Sequence, residues 1–140
     1  WQMNTKATKK QPRGIRNNNP LNIRIGNTWL GEVPNPSDSD FEQFVSVVYG
    51  LRAAFCILRR YIRRYHRDTI AKIISAWAPS NENNTAAYIS QVAKRVGIDP
   101  DTIIHYEDAD TMFSLVQAMA MQECGQRVSE DSLKEAYKIA

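Results

Sequence analysis

Glu123 is the residue of this chain best placed to move a proton. It closes the most apolar helical stretch, in Met121-Gln122-Glu123-Cys124-Gly125. A carboxyl set against apolar walls ionises reluctantly, so its pKa is expected to rise. A general acid that protonates a leaving glycosidic oxygen near neutral pH needs that property. A glutamate in a last helical turn also opposes the helix dipole, so it brings no helix-stabilising reason of its own. The alternative is a side chain facing solvent. Glu82, in Trp77-Ala78-Pro79-Ser80-Asn81-Glu82-Asn83-Asn84-Thr85, is the second carboxylate of interest. It reads either as an acid–base partner or as part of a helix-start loop capped by Thr85. Glu32 and Glu42 flank an expected hairpin, and Asp108 and Asp110 read as helix caps.

The second chemical feature is the run Arg13-Gly14-Ile15-Arg16-Asn17-Asn18-Asn19-Pro20-Leu21-Asn22-Ile23-Arg24. Asparagine side chains bond nearby backbone, and the residue before a proline is pushed out of the helical region. The run therefore reads as a side-chain-pinned turn followed by a short extended segment, Leu21 to Ile25. Amides both donate and accept hydrogen bonds, which suits a ligand rich in hydroxyl and N-acetyl groups. A structural turn that only closes the fold is the other reading, and composition leaves both open.

Other chemistries find less support. His66 and His105 stand far apart, which argues against a metal site or a Ser/His nucleophile. Cys56 and Cys124 lie in no zinc-ligand pattern and read as reduced buried thiols. No cofactor or metal is expected. The arginines from Arg59 to Arg67 form a phosphate-binding face or a solvated helix face. Residues 88–104 have the spacing of a helix-turn-helix, with Ala93 four before Gly97. Its second helix would present Asp101, Thr102, His105, Glu107 and Asp108, an acidic face that repels phosphate. Nucleic acid is therefore not an expected partner.

The elements that would position these residues follow from periodicity. Residues 1–12, with Lys6, Lys9 and Lys10, read as a flexible basic arm, and 13–140 as one domain. Leu21–Ile25 and Phe41–Phe44 alternate apolar and polar and are expected to pair as a small hairpin. Ser46 caps a long helix whose buried stripe is Leu51, Phe55, Leu58, Ile62 and Tyr65. Asp68 caps a helix over Thr69–Trp77, with Ile70, Ile73, Ile74 and Trp77 inward. A helix from Thr85 buries Tyr88, Ile89, Val92 and Val96 and stops at Gly97. Asp99-Pro100 signals a further short helix. Asp110 or Thr111 caps the helix of Met112, Phe113, Leu115, Val116, Met119 and Ala120, expected to be the most buried. Ser129 or Asp131 opens the last one.

The chain has 140 residues, 43% of them hydrophobic, and a net charge of +3. That is one globular domain with a mild basic bias, suited to an anionic partner such as a bacterial cell wall or nucleic acid. No apolar run is long enough to span a bilayer. Met3 reads as the natural start. No signal peptide is visible, so action outside the cytoplasm requires delivery by a virion, a secretion system or lysis.

Taken together, R-G-I-R-N-N-N-P-L-N-I-R, W-L-G-E, F-E-Q-F with Y-G-L-R-A-A, W-A-P-S-N-E-N-N-T-A-A-Y-I and Q-E-C-G resemble a set of small phage and prophage proteins. Those are often labelled virion structural proteins and described as lysozyme-like cell-wall lytic domains. The resemblance covers residues 13 to about 140. The family's last motif usually looks like H-E-N-G. Gln122 and Cys124 replace its His and Asn here, while the glutamate and glycine remain. Glucosaminidases and lytic transglycosylases are also similar, with a glutamate at a helix end followed by an Asn-containing segment and an F-x-x-F stretch. This chain holds those pieces in rotated order.

The resemblance implies a mainly α, lysozyme-like helical domain with a small β-hairpin, circularly permuted, which neighbouring chain termini would permit. It implies cleavage of the β-1,4 bond between N-acetylmuramic acid and N-acetylglucosamine in peptidoglycan. Glu123 would be the general acid/base and Glu82 the second carboxylate. Asn18, Asn19, Asn22 and Asn83 would line the sugar cleft, with Trp29, Trp77 and Tyr88 as stacking platforms or core. A hydrolase needs a partner carboxylate or base. A lytic transglycosylase works with one glutamate, because the muramic acid's own hydroxyl attacks. A non-catalytic wall-binding or virion assembly module of the same fold is the alternative.

Overall fold

The computed structural model describes residues 11–79 and 84–140. The described chain is mainly helical, in the order α1 Arg13–Arg16, α2 Val47–Arg64, α3 Ile70–Trp77, α4 Thr85–Val96, α5 Ala109–Cys124 and α6 Glu130–Ile139. The helix α5 is the central strut and packs against α1, α2, α4 and α6. Its Met112, Leu115, Val116, Ala118, Met119 and Ala120 are all buried, as its composition leads one to expect. It runs from an Asp108 cap, two residues before the expected start, to Gly125 in the left-handed conformation at φ 71°. Glycine adopts that conformation without a Cβ clash, so the helix stops one residue after Glu123 reaches its last turn. No helix among the described residues is long and apolar enough to cross a membrane.

The packing of α2 follows its apolar stripe. Leu51, Phe55 and Leu58 are fully buried, and α2 meets α6, α3 and α5. Tyr65 departs from the stripe: it is 48% exposed. The helix ends at Arg64, and the chain turns through His66 at φ 54°, so Tyr65 is carried away from the core. Two further caps differ in detail. Thr69 rather than Asp68 caps α3, accepting from the Lys72 N–H, and Asn84 rather than Thr85 caps α4, accepting from Ala87. Ser129 caps α6, one of the two starts its sequence allows.

The helix expected after Asp99-Pro100 does not form. Asp99 holds a tight turn, its carboxylate accepting from the Asp101 N–H at 2.8 Å. The backbone groups a helix would use go to α3 instead. Pro100 C=O accepts the otherwise orphaned Ala71 N–H at 3.0 Å, and Ile104 N–H donates to Asp68 C=O at 2.8 Å. The helix-turn-helix reading thereby loses its second helix.

The asparagine-rich run is more structured than a turn. Pro12 C=O accepts from Ile15 and Arg16, which winds Arg13–Arg16 into one helical turn. Asn18 and Asn22 then each adopt φ 53°, a left-handed conformation that asparagine tolerates better than most residues. The second of these breaks the expected strand at Leu21–Ile25. Antiparallel pairing survives as two isolated bridges, Arg24 with Phe41 and Glu32 with Phe44. The run is wedged between helices at two glycines. A Cβ on Gly50 of α2 would lie 1.9 Å from Asn18 O, and one on Gly14 would lie 2.8 Å from Asn19 O. Only residues without a side chain allow α1, the turn and α2 to close this tightly.

Candidate active site

Asn22 and Glu123 are 101 residues apart in sequence and meet in the fold: Asn22 Nδ2 donates to Glu123 Oε1 at 3.1 Å and to its backbone carbonyl at 3.3 Å. From the opposite side Tyr88 of α4 donates its hydroxyl to Oε2 at 2.9 Å. The carboxyl therefore sits where α5, α4 and the asparagine turn converge. Burial is the largest influence on it and pushes its pKa above the ordinary carboxylate range. Hydrogen bonds from Asn22 and Tyr88, a weaker polar contact with Trp77 and the charge of Arg24 pull in the other direction without overcoming burial. Tyr88 is itself buried at 5% exposure, and its phenol is raised well above its usual range by desolvation and by Glu123. It thus remains a proton donor at any physiological pH.

A groove of about 360 Å³ opens over this carboxyl, walled by Asn22, Arg24, Phe41, Tyr61, Trp77 and Glu123. Trp77 and Tyr61 meet edge to face at 6.4 Å, giving one wall an aromatic surface of the kind that packs against sugar rings. Arg24 lies over the Phe41 ring at 4.8 Å. Glu123 is the one carboxylate among the described residues of the groove. Asn22 Oδ1 is buried without a partner. An amide offers a donor on one side and an acceptor on the other, so it can serve Glu123 as a carboxylate or, turned over, as a carboxylic acid.

The turn that delivers Asn22 is held by its neighbours. Asn19 is fully buried, donates to the Ile23 and Glu42 carbonyls at 2.9 and 3.0 Å, and accepts from the Ile23 N–H at 2.9 Å. Asn18 donates to Phe44 C=O at 2.9 Å. Arg13 grips Asp38 through two nitrogens, at 2.6 and 2.7 Å, and Asn17 donates to the same carboxylate at 3.0 Å. The Arg13 guanidinium holds the Asp38 carboxyl far below the usual range.

The expected site residues thus divide. Glu123, Asn22 and Trp77 share the groove. Tyr88 is not a stacking platform, because its ring is core and its hydroxyl orients the acid. Asn18 and Asn19 do not line the groove: both amide atoms of Asn19 bond backbone groups, and Asn18 Nδ2 goes to Phe44 C=O. Trp29 lines an adjoining cavity rather than the groove itself. Glu82 and Asn83 lie outside the described residues. The groove also recruits Arg24, Phe41, Ile57 and Tyr61, which the sequence does not single out as site residues. Ile57 and Tyr61 are one turn apart on α2, the only sequence signal that could have joined them. Cys56 and Cys124 are both free, and among the described residues no cluster of three His, Cys, Asp or Glu side chains could hold a metal ion.

No protein-family model matches this chain. It is 38% identical over 131 residues to Protein P5 of Pseudoalteromonas phage PM2, an alignment that takes in 90% of this chain and 80% of that protein.

Proposed function

We propose that this chain, which belongs to the family of Protein P5 of Pseudoalteromonas phage PM2, is a peptidoglycan-cleaving enzyme with a lysozyme-like, circularly permuted helical fold. The observation that carries this reading is the Glu123 carboxyl, kept reluctant to ionise by burial and held in a groove by Asn22 and Tyr88. A protonated Glu123 donates to the glycosidic oxygen between N-acetylmuramic acid and N-acetylglucosamine as that bond breaks. The resulting carboxylate then takes the proton of the attacking hydroxyl. With one carboxylate among the described groove residues, the attacking group favoured is the muramic acid's own hydroxyl, which closes an anhydro ring. Water takes that place if Glu82 serves as a partner carboxylate. A phage relative fits the reading, since phages must pass their host's wall.

Purified peptidoglycan incubated with the wild type should release muropeptides with anhydro-muramic ends, read by mass. Reducing ends assign a hydrolase. Glu123→Gln should lose release by at least about a hundredfold, the scale of general acid catalysis. Full activity in Glu123→Gln refutes the acid assignment. A second reading, a non-catalytic wall-binding module, draws on the fact that hydrogen bonds already engage both carboxylate oxygens of Glu123, as they would in a purely structural buried acid. Co-sedimentation with peptidoglycan without any release by the wild type supports it.

A further inference from the structure

We propose that the cavity beside the glutamate groove is a subsite for oxyanions borne by substituents of the glycan strand, foremost the carboxylates of its peptide stems. The inference rests on the glycan-cleaving reading of the groove. The cavity measures about 640 Å³ and adjoins the groove, since Asn27, Ile57 and Tyr61 line both. Its distinguishing residues are Arg52, Arg59 and Arg60, which with Cys56 occupy one stripe of α2 at three- and four-residue spacing. Ile57 and Tyr61 form the neighbouring stripe. A strand whose sugars lie along Tyr61 and Trp77 therefore brings its substituents over the arginines.

Among the described residues nothing compensates the charge of this stripe. Among the described residues no carboxylate lines the cavity and Arg52, Arg59 and Arg60 form no salt bridge, whereas Arg13 pairs with Asp38 and Arg63 with Glu107. Arg52 Nε is occupied only by the Ile139 carbonyl at 3.2 Å, and Arg59 lies over the Tyr106 ring at 5.9 Å. Three arginine side chains contribute to the lining, and their like charges favour entry of an anion. The guanidinium fork matches carboxylate and phosphate oxygens with two parallel hydrogen bonds. In a cell wall such oxygens come from peptide-stem carboxylates or from phosphodiesters of attached polymers.

The test uses the full chain carrying Glu123→Gln, so that binding is read without cleavage. Co-sedimentation is measured with peptidoglycan bearing stems but no attached polymer, with the same material stripped of stems by an amidase, and with polymer-bearing wall. Adding Arg59→Gln and Arg60→Gln should weaken binding to the stem-bearing material roughly tenfold. Stem removal, which leaves only the lactyl carboxylate on each muramic acid, should weaken the arginine-bearing protein and leave the doubly substituted one unmoved. Arg59→Lys with Arg60→Lys should restore part of the affinity, and Arg64→Gln, exposed and outside the cavity, should change nothing. An arginine effect confined to polymer-bearing wall assigns the oxyanion to phosphate. Equal affinity of both proteins for all three materials, or an equal loss in Arg64→Gln, overturns the subsite. Muropeptide release by the wild type is scored separately: arginine-dependent binding without release upholds the subsite and sinks the cleavage reading, and release with arginine-independent binding does the reverse.

Discussion

Replacing Tyr88 with phenylalanine removes one donor from Glu123 and leaves the ring packing in place. The bond lost is the 2.9 Å contact to Oε2. Hydrogen bonds to charged groups contribute about 1.5–3 kcal/mol. Glu123 lines an open groove and keeps Asn22 at 3.1 Å, so the lower end applies. About 1.5 kcal/mol corresponds to roughly one pKa unit, upward, because the charged form loses the donor. Burial already holds the folded pKa of Glu123 above its ordinary value. The protonated group therefore favours the fold, a contribution complete below the unfolded carboxylate pKa and lost as pH rises through the folded value. Tyr88→Phe extends that window upward. Its stability deficit should be small in acid and grow to about 1.5 kcal/mol once Glu123 is charged in both proteins. Carboxyl carbon NMR titration, with Glu123→Gln to assign the signal, reads the pKa; chemical denaturation across pH reads the deficit. The alkaline limb of any muropeptide release should move up by about one unit as well. An unmoved or lowered Glu123 pKa, or a deficit independent of pH, refutes the claim that Tyr88 poises the acid.

Three other perturbations test the frame around the site. Gly50→Ala places a methyl 1.9 Å from Asn18 O and should cost about 1–3 kcal/mol or more by overpacking, seen as a lower thermal midpoint. Asn19→Ala leaves the Ile23 N–H and two buried carbonyls without their amide partner and should cost about 1–3 kcal/mol in denaturant titrations; a neutral result would mean the turn is not pinned there. Glu42 is 6% exposed, Oε2 has no partner, and burial together with Glu32 raises its pKa to about 7. Its stabilising contribution is complete below about 4.5 and lost as pH rises through about 7. Glu42→Gln should therefore gain stability over the wild type above that value and match it in acid, with pH-dependent melting as the readout.

Most helices were legible because apolar periodicity and caps are local. The central burial of α5, the end of α4 at Gly97 and the start of α6 at Ser129 all follow from neighbours a few residues away. The failures share one cause. Asp99-Pro100 carries a sound local helix signal, yet its backbone groups are taken by Ala71 and Asp68, partners some thirty residues distant whose approach no window of sequence contains. The strand at Leu21–Ile25 fails likewise, because Asn22 must turn to φ 53° in the conformation that brings its amide to Glu123.

The site divides along the same line. Sequence alone picked out Glu123 as an acid ending an apolar helix, while the groups that surround it, Asn22, Tyr88 and Trp77, come from other elements. It also marked Asn22 and Trp77 as residues able to face a sugar. Only the tertiary structure decided that Asn18 and Asn19 are structural, that Tyr88 holds the acid rather than a ligand, and that Tyr61 joins the groove. The reason is that an amide or a phenol bonds whichever partner folding brings within about 3 Å, and Asn18, Asn19 and Tyr88 each have at least one partner from a distant part of the chain.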